Sequence, residues 1–383
     1  MSFPFDSAQE ANFIVPELAR WKRDYKKIIF VPAQVKGSQC YPMDDQLSMD
    51  ATLAGDFEKR YSWLNFLSWR WLFNWISICF HIANTQEKLN WKLYSNAFFF
   101  GLRMQISLCY LKRLKGEIDL YSFWNTYITA SMAQLKGFKG RRWTRVHGDD
   151  LYPERQGGII PFETQTYSNL DEVVFASQAA LSFYLQRHPG IHTPTSIAYI
   201  GVSFSNLIGN VAVMPKRQPL VLVTCSGLNP VKQLALVNGW INRWNKSHGQ
   251  VQLEWHHLGA TTAALSEHIQ ESTVAIGHGW MSQFEVMQWY QTMQPFALFS
   301  LSRSEGGFPV SMQEALICGI PLIGSANGGV IEALEISEGF TLSSTPDFEE
   351  FKKTMEEIIS LPDSEILRLR QKAMDVGRTL FLR

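Results

Sequence analysis

Residues 302–329 have the sequence SRSEGGFPVSMQEALICGIPLIGSANGG, and this stretch decides the fold. The apolar segment 297–300 just before it predicts a strand, and residues 309–317 within it predict a helix. Between them, Gly306 and Gly307 let the backbone approach a ligand closely. The free amides at the start of the helix suit an anion such as a diphosphate. The stretch therefore predicts a strand–loop–helix unit of an α/β sheet, with an anion site at its loop.

Two carboxylates flank this predicted anion site. Glu305 lies in the loop before the helix, and Glu314 lies about two turns inside it. One carboxylate can then reach a sugar hydroxyl and the other a ribose diol, with the phosphates between them. Asn327, Gly328 and Gly329 open the next predicted helix and offer further amides. The pattern favours a site for a nucleotide sugar.

The segment from Glu305 to Ala315, with the later Gly328-Gly329 pair, closely resembles the donor site of retaining GT-B glycosyltransferases of family 4. That family carries a Glu-x7-Glu motif and a Gly-Gly turn, whereas the spacing here is Glu-x8-Glu. The resemblance implies that Glu305 is catalytic. It implies that the donor is bound by Lys232, Gly306, Gly307, Phe308, Pro309, Val310, Glu314 and Gly227. It also implies that no metal and no cofactor are needed.

Residues 224–233, TCSGLNPVKQ, resemble the family's Ser-Arg-Leu-x-Pro-x-Lys segment, in which an Arg and a Lys neutralise the donor diphosphate. Lys232 matches the Lys, but Gly227 stands where the Arg is expected. Losing one charge-assisted phosphate contact weakens binding by about 1.5–3 kcal/mol. Arg303 and Arg217 are candidate replacements. The alternative for Lys232 is an ordinary residue on a surface helix.

In the first half of the chain, residues 145–155, RVHGDDLYPER, follow a predicted strand and are similar to the family's His-Gly-x-Asp-Leu-Tyr segment. The resemblance implies a catalytic His147 across the cleft, near the transferred sugar. Asp149 or Asp150 then orients the imidazole or meets an acceptor hydroxyl. An Asp pair at a strand end fits a helix N-cap equally well.

The opening Phe3–Ile14 looks like the loop that follows the first strand in this family, so the first strand itself is expected to be missing or truncated. Glu10 in this segment is expected to face the acceptor. The alternative is a carboxylate that stabilises a helix N-terminus.

Strand-length apolar segments alternate with helical patterns in two blocks, on either side of a Ser-, Asn-, Gly- and Pro-rich linker at 203–218. This alternation predicts two parallel-sheet α/β domains. The fold class is therefore expected to be GT-B, with two Rossmann-like doubly wound domains facing across a cleft. The boundaries are 1–210 for the acceptor side and 211–383 for the donor side.

The composition excludes several other classes of protein. Lys+Arg and Asp+Glu number 35 each, 46% of residues are hydrophobic and 18% are charged, which argues against disorder and against general nucleic-acid binding. Five scattered cysteines without a CxxC pair predict reduced thiols in a cytosolic protein. Residues 103–145 hold nine basic and two acidic residues, so this half could face an anionic surface.

The aromatic segment Trp63–Asn84 is the candidate for membrane contact. Its uncharged part, residues 71–86, falls short of the roughly 20 apolar residues that span a bilayer. It predicts either a helix buried in the first domain or an interfacial helix beside the basic stretch. We expect a cytoplasmic protein, with peripheral binding to the inner face of the plasma membrane left open.

Together these patterns predict a glycosyltransferase that moves a sugar, with retention, from a UDP- or GDP-linked donor to a glycan or lipid-linked glycan in cell-envelope polysaccharide or lipopolysaccharide biosynthesis. Two alternatives remain. One is a catalytically weak scaffold subunit of a polysaccharide-assembly complex, and the other is a nucleotide-sugar hydrolase or epimerase on the same fold.

Overall fold

The computed structural model describes residues 3–5, 8–39, 41–59, 91–203, 219–247 and 251–382, together with residues 72, 75, 76, 79 and 80. It divides into two compact units, Met1–Ala198 (unit 1) and Tyr199–Arg383 (unit 2), and each is described by itself. The predicted domain boundary between residues 210 and 211 lies outside the described residues. The same is true of nearly all of the predicted linker and of most of the segment Trp63–Asn84.

Unit 1 contains two parallel sheets. The two-stranded sheet pairs β1 (Ile28–Phe30) with β2 (Leu47–Met49). The four-stranded sheet has its strands in chain order: β3 (Leu120–Ser122), β4 (Arg142–Val146), β5 (Glu172–Phe175) and β6 (Thr195–Ile197). The helices are α1 (Ala8–Asp24), α2 (Thr52–Glu58), α3 (Trp91–Leu111), α4 (Tyr127–Ala133), α5 (Gly148–Leu151), α6 (Glu163–Tyr167) and α7 (Gln178–Arg187).

Unit 2 is built on one seven-stranded sheet. Its strands are β7 (Leu220–Cys225), β8 (Leu253–Leu258), β9 (Ala260–Thr261), β10 (Ala275–Gly279), β11 (Ala297–Ser300), β12 (Leu322–Ser325) and β13 (Phe340–Leu342). Its helices are α8 (Leu234–Ser247), α9 (Thr262–Ile269), α10 (Gln283–Met293), α11 (Val310–Ile317), α12 (Gly329–Ser337), α13 (Phe348–Ser360) and α14 (Asp363–Leu380). All strand pairs are parallel except that of β9 with β10 at the edge.

The strand order of this sheet is β13-β12-β11-β7-β8-β10-β9. Without the short edge strand, the chain enters at β7 in the middle, builds outward to β10, then returns to β11 and builds the other way. This is the doubly wound order of Rossmann-type domains, which places a crevice where the direction reverses. In unit 2 that point lies between the carboxyl ends of β7 and β11.

Both faces of the sheet in unit 2 are covered by helices, and the residues of each strand alternate between them. On β11, Ala297 and Phe299 pack on one face with Trp240 and Phe351, whereas Leu298 packs on the other with Met312. Burial on both faces explains why these strands are continuous apolar runs in the sequence. It also fixes the direction in which the residues beyond each strand end leave the sheet.

No helix in the described part of the chain is long and apolar enough to cross a membrane. The 21-residue helix α3 comes nearest in length, and it buries ten of its residues, among them Met104 and Leu108, in unit 1. The four cysteines that the structure describes, Cys79, Cys109, Cys225 and Cys318, have free thiols.

Candidate functional site

The crevice between β7 and β11 is the place where the fold of unit 2 can hold a ligand. The two strands are neighbours, with Leu222 beside Ala297 and Val223 beside Leu298, and both end at the same edge of the sheet. A cavity of about 20 Å³ opens there, with room for one water molecule. It is lined in part by Thr224, Cys225, Ser226, Lys232, Ser300, Leu301, Glu305, Pro309 and Ser311.

The turn that follows β7 brings Lys232 into this crevice. Asn229 caps a 3-10 turn at Pro230–Lys232, because its side-chain oxygen accepts from the Val231 N–H at 2.9 Å. Gln233 then has a φ of 51°, which separates the turn from α8. The helix α8 therefore begins only at Leu234, two residues beyond Lys232.

Lys232 consequently does not lie on a surface helix. Its side chain is 29% exposed, and its ammonium group donates to the Glu305 carboxylate, whose side chain is 15% exposed. A half-buried ion pair of this kind compensates both charges inside the crevice. A phosphate group can reach Lys232 fully only when Glu305 gives up part of this contact.

The loop that carries Glu305 rests directly on the Gly328-Gly329 pair at the start of α12. The Gly329 N–H donates to the Glu305 carbonyl oxygen at 3.0 Å. A Cβ on Gly328 would lie 1.9 Å from that carbonyl oxygen, and a Cβ on Gly329 would lie 2.0 Å from the Gly307 carbonyl oxygen. The two glycines are thus required for close backbone contact between the two loops.

Asn327 and Ser325 hold the start of the same loop. The Asn327 side-chain amide donates to the Ser302 carbonyl oxygen at 3.0 Å and to the Ser344 carbonyl oxygen at 2.9 Å. The Ser325 hydroxyl also donates to the Ser302 carbonyl oxygen, at 2.9 Å. The sequence suggested the Asn-Gly-Gly segment as a source of free amides. In the structure this segment packs against the Glu305 loop and holds it in place.

Glu314 lies just over one turn inside α11, which begins at Val310, rather than the two turns that we expected. Its side chain is buried, and one carboxylate oxygen accepts from the Gln283 side-chain amide at 2.9 Å. Burial raises the pKa of Glu314 to about 7, against the lowering effect of the Gln283 hydrogen bond.

Cys225 is the last residue of β7, and the charges of both Glu314 and Lys232 affect its thiol. Burial and then the charge of Glu314 raise the pKa of its thiol to about 12, while Tyr290 and Lys232 lower it. Both Glu314 and Lys232 therefore lie within electrostatic range of one sulfur atom at the end of β7. The structure pairs Lys232 with Glu305 at this strand edge, and Glu314 lies in α11, the helix that follows the Glu305 loop.

Glu314 gives unit 2 a pH-dependent stability. Because folding raises the pKa of this carboxyl from its ordinary 4.5 to about 7, its contribution is complete below about pH 4.5 and is lost as the pH rises to about 7. The difference corresponds to about 3 kcal/mol. Glu314→Gln stays neutral throughout and should remove this slope.

Urea unfolding of the wild type and of Glu314→Gln, at about pH 4 and about pH 8, measures the effect. The variant should be more stable than the wild type at the higher pH and equal to it at the lower. Glu267→Gln, on the exposed side of α9, is the control and should keep the wild-type slope. Parallel pH dependence in the wild type and Glu314→Gln would contradict the assignment.

The other residues that the resemblance implies in donor binding differ in how accessible they are to a ligand. Gly306 is buried and Gly307 half-buried, and Pro309 lies at the start of α11 with Val310 as its first residue. Phe308 is 1% exposed and packs on Phe381 at 4.5 Å between ring centroids. Its side chain belongs to the core of unit 2, which leaves only its backbone for a ligand.

Gly227 lies beyond β7, with no atom within 4 Å of the position that a Cβ would take. The expected Arg would therefore fit there without steric conflict. Arg303, one of the two candidate replacements, is exposed, and its backbone N–H donates to the Val231 carbonyl oxygen at 2.9 Å, beside Lys232. Arg217, the other candidate, lies outside the described residues.

In unit 1, His147 follows β4 and precedes α5, as predicted. It is 7% exposed, its ring lies 4.3 Å from the Trp124 ring, and its Nε2 is 3.0 Å from the Phe123 carbonyl oxygen. Burial and the neighbouring Arg145 lower its pKa to about 3. The imidazole is thus neutral at pH 7, and Nε2 carries the proton that binds the carbonyl oxygen.

The two aspartates that follow His147 have different surroundings. Asp150 is buried and accepts from the backbone N–H groups of His147 at 2.5 Å and Asn125 at 2.6 Å. Asp150 therefore joins the loop after β3 to the start of α5 by hydrogen bonds. This is the role of the helix-capping alternative, not that of a residue that meets the acceptor. Asp149 is exposed and pairs with Arg155 at 2.7 Å. Glu10 lies in α1, and its side chain is outside the described part of the chain.

Among the polar residues that the sequence analysis missed are Ser226 and Ser311, which line the crevice, and Gln283, which donates to Glu314. Ser226 follows β7 directly, and Ser311 lies in the first turn of α11, so their position beyond strand ends was an available signal. Gln283 begins α10, after the edge strand β10. Nothing in the local sequence indicates that it bonds Glu314.

A family model matches the part of the chain that carries the Glu305 loop. Residues 260–375 match the model described as Glycosyl transferases group 1. The matched segment holds Glu305, Glu314 and the Gly328-Gly329 pair but begins after Lys232. A search of curated proteins finds no significant match to the sequence.

Solved structures resemble between 68% and 98% of the chain at low sequence identity. Trehalose 6-phosphate synthase from Burkholderia multivorans has a TM-score of 0.64 at 12% identity, over 98% of this chain and 93% of that one. Sucrose-phosphate synthase from Thermosynechococcus elongatus has a TM-score of 0.57 at 14% identity, over 74% of each. HepE of Anabaena, solved with UDP and glucose, has a TM-score of 0.52 at 17% identity, over 68% of this chain and 74% of that one.

These likenesses confirm the predicted fold class, a mixed α/β GT-B fold with parallel sheets. With the group 1 domain, they support a transferase enzyme of the glycosyltransferase kind. In the described residues, no group of three or more His, Cys, Asp or Glu side chains could hold a metal ion. Independence from metals and cofactors stays a prediction.

Proposed function

We propose that this protein transfers a sugar from a nucleotide-diphosphate donor to a hydroxyl group of a glycan or lipid-linked glycan, with retention of the anomeric configuration. The observation that carries the proposal is the Lys232–Glu305 pair at the crevice of the doubly wound sheet, with the buried Glu314 at the same strand edge. A cation, a glycine loop and two carboxylates are what a sugar diphosphate requires.

In the proposed complex, Lys232 and the amides around Gly306 and Gly307 bind the diphosphate. Lys232 also stabilises the negative charge that develops on the leaving phosphate. Glu305, released from part of its contact with Lys232, accepts from hydroxyl groups of the sugar. Glu314 accepts from the ribose diol, which favours its ionised form and offsets its burial.

Retention in this proposal follows a front-face route, in which the leaving phosphate helps to deprotonate the acceptor. A double displacement needs a carboxylate nucleophile beneath the sugar, and we assign none. His147, neutral at pH 7, is proposed to act as a hydrogen-bond partner of the sugar or acceptor rather than as a cation.

The proposal is tested by thermal unfolding with UDP, GDP, UDP-glucose and GDP-mannose, each added separately. A donor stabilises the folded protein by about 2.7 kcal/mol at a concentration 100 times its dissociation constant. Proton NMR of the glycoside formed with the stabilising donor then gives its anomeric configuration. No shift with any nucleotide would overturn the proposal, and an inverted product would overturn retention.

A catalytically weak scaffold subunit is the second candidate, and Gly227 is the observation that favours it. We predict that Gly227→Arg raises affinity for the stabilising nucleotide by about 10- to 100-fold, because a second cation reaches the diphosphate. Gly227→Ala is the matched control, since both side chains enter the same open space. Isothermal titration calorimetry measures the gain. Equal affinity in both variants would show that no diphosphate lies beside residue 227.

The acceptor pathway that we propose is cell-envelope polysaccharide or lipopolysaccharide assembly at an anionic membrane surface. The basic stretch 103–145 supports this part of the proposal. In the structure, fewer of its charges are available to an anionic surface than the sequence suggests. Four of its nine basic residues pair with carboxylates: Arg113, Arg141, Arg142 and Arg145. Flotation with anionic and neutral vesicles tests the membrane part, and equal background recovery from both would refute it.

A further inference from the structure

Unit 1 has a cavity of its own, at the carboxyl edge of its four-stranded sheet. The residue that opens α4 after β3, Tyr127, forms one wall, and Gln156, Ile159 and Pro161 from the segment after β4 form another. The amino-terminal half of α3 closes the third side. Ligands of parallel α/β sheets bind beyond the carboxyl ends of the strands, so the cavity occupies the ligand-binding edge of this sheet.

The cavity has a volume of about 300 Å³, at the lower end of the range for small-molecule sites. Its walls are mainly apolar and aromatic, with Phe99, Phe100 and Tyr127 supplying rings. Three polar side chains reach it: Asn96, Arg103 and Gln156. The size fits one substituted sugar ring better than an oligosaccharide, and the lining combines flat apolar faces with amide groups that suit hydroxyls.

Arg103 gives the cavity its charge. Its guanidinium carbon lies 5.6 Å from the centroid of the Tyr127 ring, a cation–π contact that holds the side chain at the cavity. In the described part of the chain Arg103 makes no ion pair, whereas four other arginines of residues 103–145 each pair with a carboxylate. The Arg103 guanidinium can therefore offer its donors to an anion from solution.

The geometry points to this cavity as the acceptor subsite, and to a phosphate-bearing saccharide as the acceptor. Arg103 binds the phosphate with two parallel N–H donors. The amides of Asn96 and Gln156 bind sugar hydroxyls, and the rings of Phe99 and Phe100 cover the apolar face of the sugar. This inference rests on the proposed function, and it adds a substrate class to it.

The same phosphate chemistry has two sources, a soluble sugar phosphate or the phosphate that links a saccharide to a lipid. Isothermal titration calorimetry on the full chain, with glucose 6-phosphate in one arm and glucosyl geranyl phosphate in the other, separates them. Glucose and inorganic phosphate are the probes for each half of the ligand alone. The tighter of the two phosphate esters should bind at least about ten times more strongly than either half.

The variants are Arg103→Ala, Arg103→Lys and the control Arg20→Ala, an exposed arginine on α1. Arg103→Ala should weaken binding of the phosphate ester about 10- to 100-fold, and Arg103→Lys should restore part of it, since lysine keeps the charge but loses the planar fork. Arg20→Ala should bind as the wild type does. UDP should bind all three variants equally, because the donor site belongs to unit 2.

The outcomes separate this inference from the proposed function. UDP binding without any response to either phosphate ester would overturn the inference and leave the proposed function standing. Binding of inorganic phosphate as tight as that of the esters would reduce the cavity to a bare anion site and also overturn it. Equal ester affinity in Arg103→Ala and the wild type would place the acceptor elsewhere. Ester binding without any nucleotide response would contradict the proposed function and with it the acceptor role, and would leave only a phosphate-ester site in the cavity.

Discussion

Lys232→Ala is expected to lower kcat/KM for sugar transfer by about 10²–10³-fold, because the variant loses the ammonium group that pairs with Glu305 and that, in the proposed mechanism, stabilises the leaving diphosphate. Donor affinity should fall with it, since a charge-assisted phosphate contact contributes about 1.5–3 kcal/mol. Lys232→Arg keeps the charge and should retain a measurable part of both. Initial rates with the donor identified by thermal unfolding measure the effect.

Lys353→Ala is the matched control, because Lys353 is an exposed lysine on α13 of the same unit. It should transfer sugar at the wild-type rate. Urea unfolding of Lys232→Ala checks that the Glu305 carboxylate, left without its partner, has not unfolded the domain. A folded Lys232→Ala protein with a rate within about threefold of the wild type would remove Lys232 from the proposed mechanism.

Gly329→Ala is expected to abolish sugar transfer while leaving the sheet intact. The new methyl group would lie 2.0 Å from the Gly307 carbonyl oxygen, and this contact is between backbone atoms that cannot rotate away. The Glu305 loop must therefore move off α12, which breaks the hydrogen bond from the Gly329 N–H to the Glu305 carbonyl oxygen. We expect a loss of about 1–3 kcal/mol in stability and at least a 100-fold loss in rate.

Gly239→Ala supplies the comparison. Gly239 lies within α8 with no atom within 4 Å of its Cβ position, so alanine there should raise stability by about 0.5–1 kcal/mol. Its rate should equal that of the wild type. If Gly329→Ala kept both the rate and the unfolding midpoint of Gly239→Ala, the loop would not rest on α12 as the structure has it.

Much of unit 2 could be predicted because local and global signals agree there. The strand Ala297–Ser300 was predicted with its observed bounds, since an apolar run of that length between polar loops fits a strand buried on both faces. The glycine pair predicted the loop at Gly306 and Gly307, and the helix was predicted to begin at the proline that follows. The alternative for Lys232, a surface helix, is wrong because Asn229, Pro230 and Gln233 form a separate 3-10 turn before α8 begins.

What could not be predicted depends on contacts between residues far apart in the sequence. The burial of His147 comes from Trp124, which reaches it from the loop after another strand. The raised pKa of Glu314 comes from its burial, and the Gln283 amide whose hydrogen bond opposes this rise lies thirty-one residues away. The cavity beside Arg103 is formed by three separate segments of unit 1. A local pattern of hydrophobic residues does not indicate which distant segments come into contact.

The ion pair between Lys232 and Glu305 also affects which anions can bind to Lys232. In the absence of a donor the lysine is already neutralised by its neighbour, so a lone inorganic anion must compete with a carboxylate held against it. A molecule that carries both an anion and hydroxyl groups can replace both halves of the pair at once. Under the proposed function, we therefore expect inorganic phosphate alone to bind unit 2 weakly.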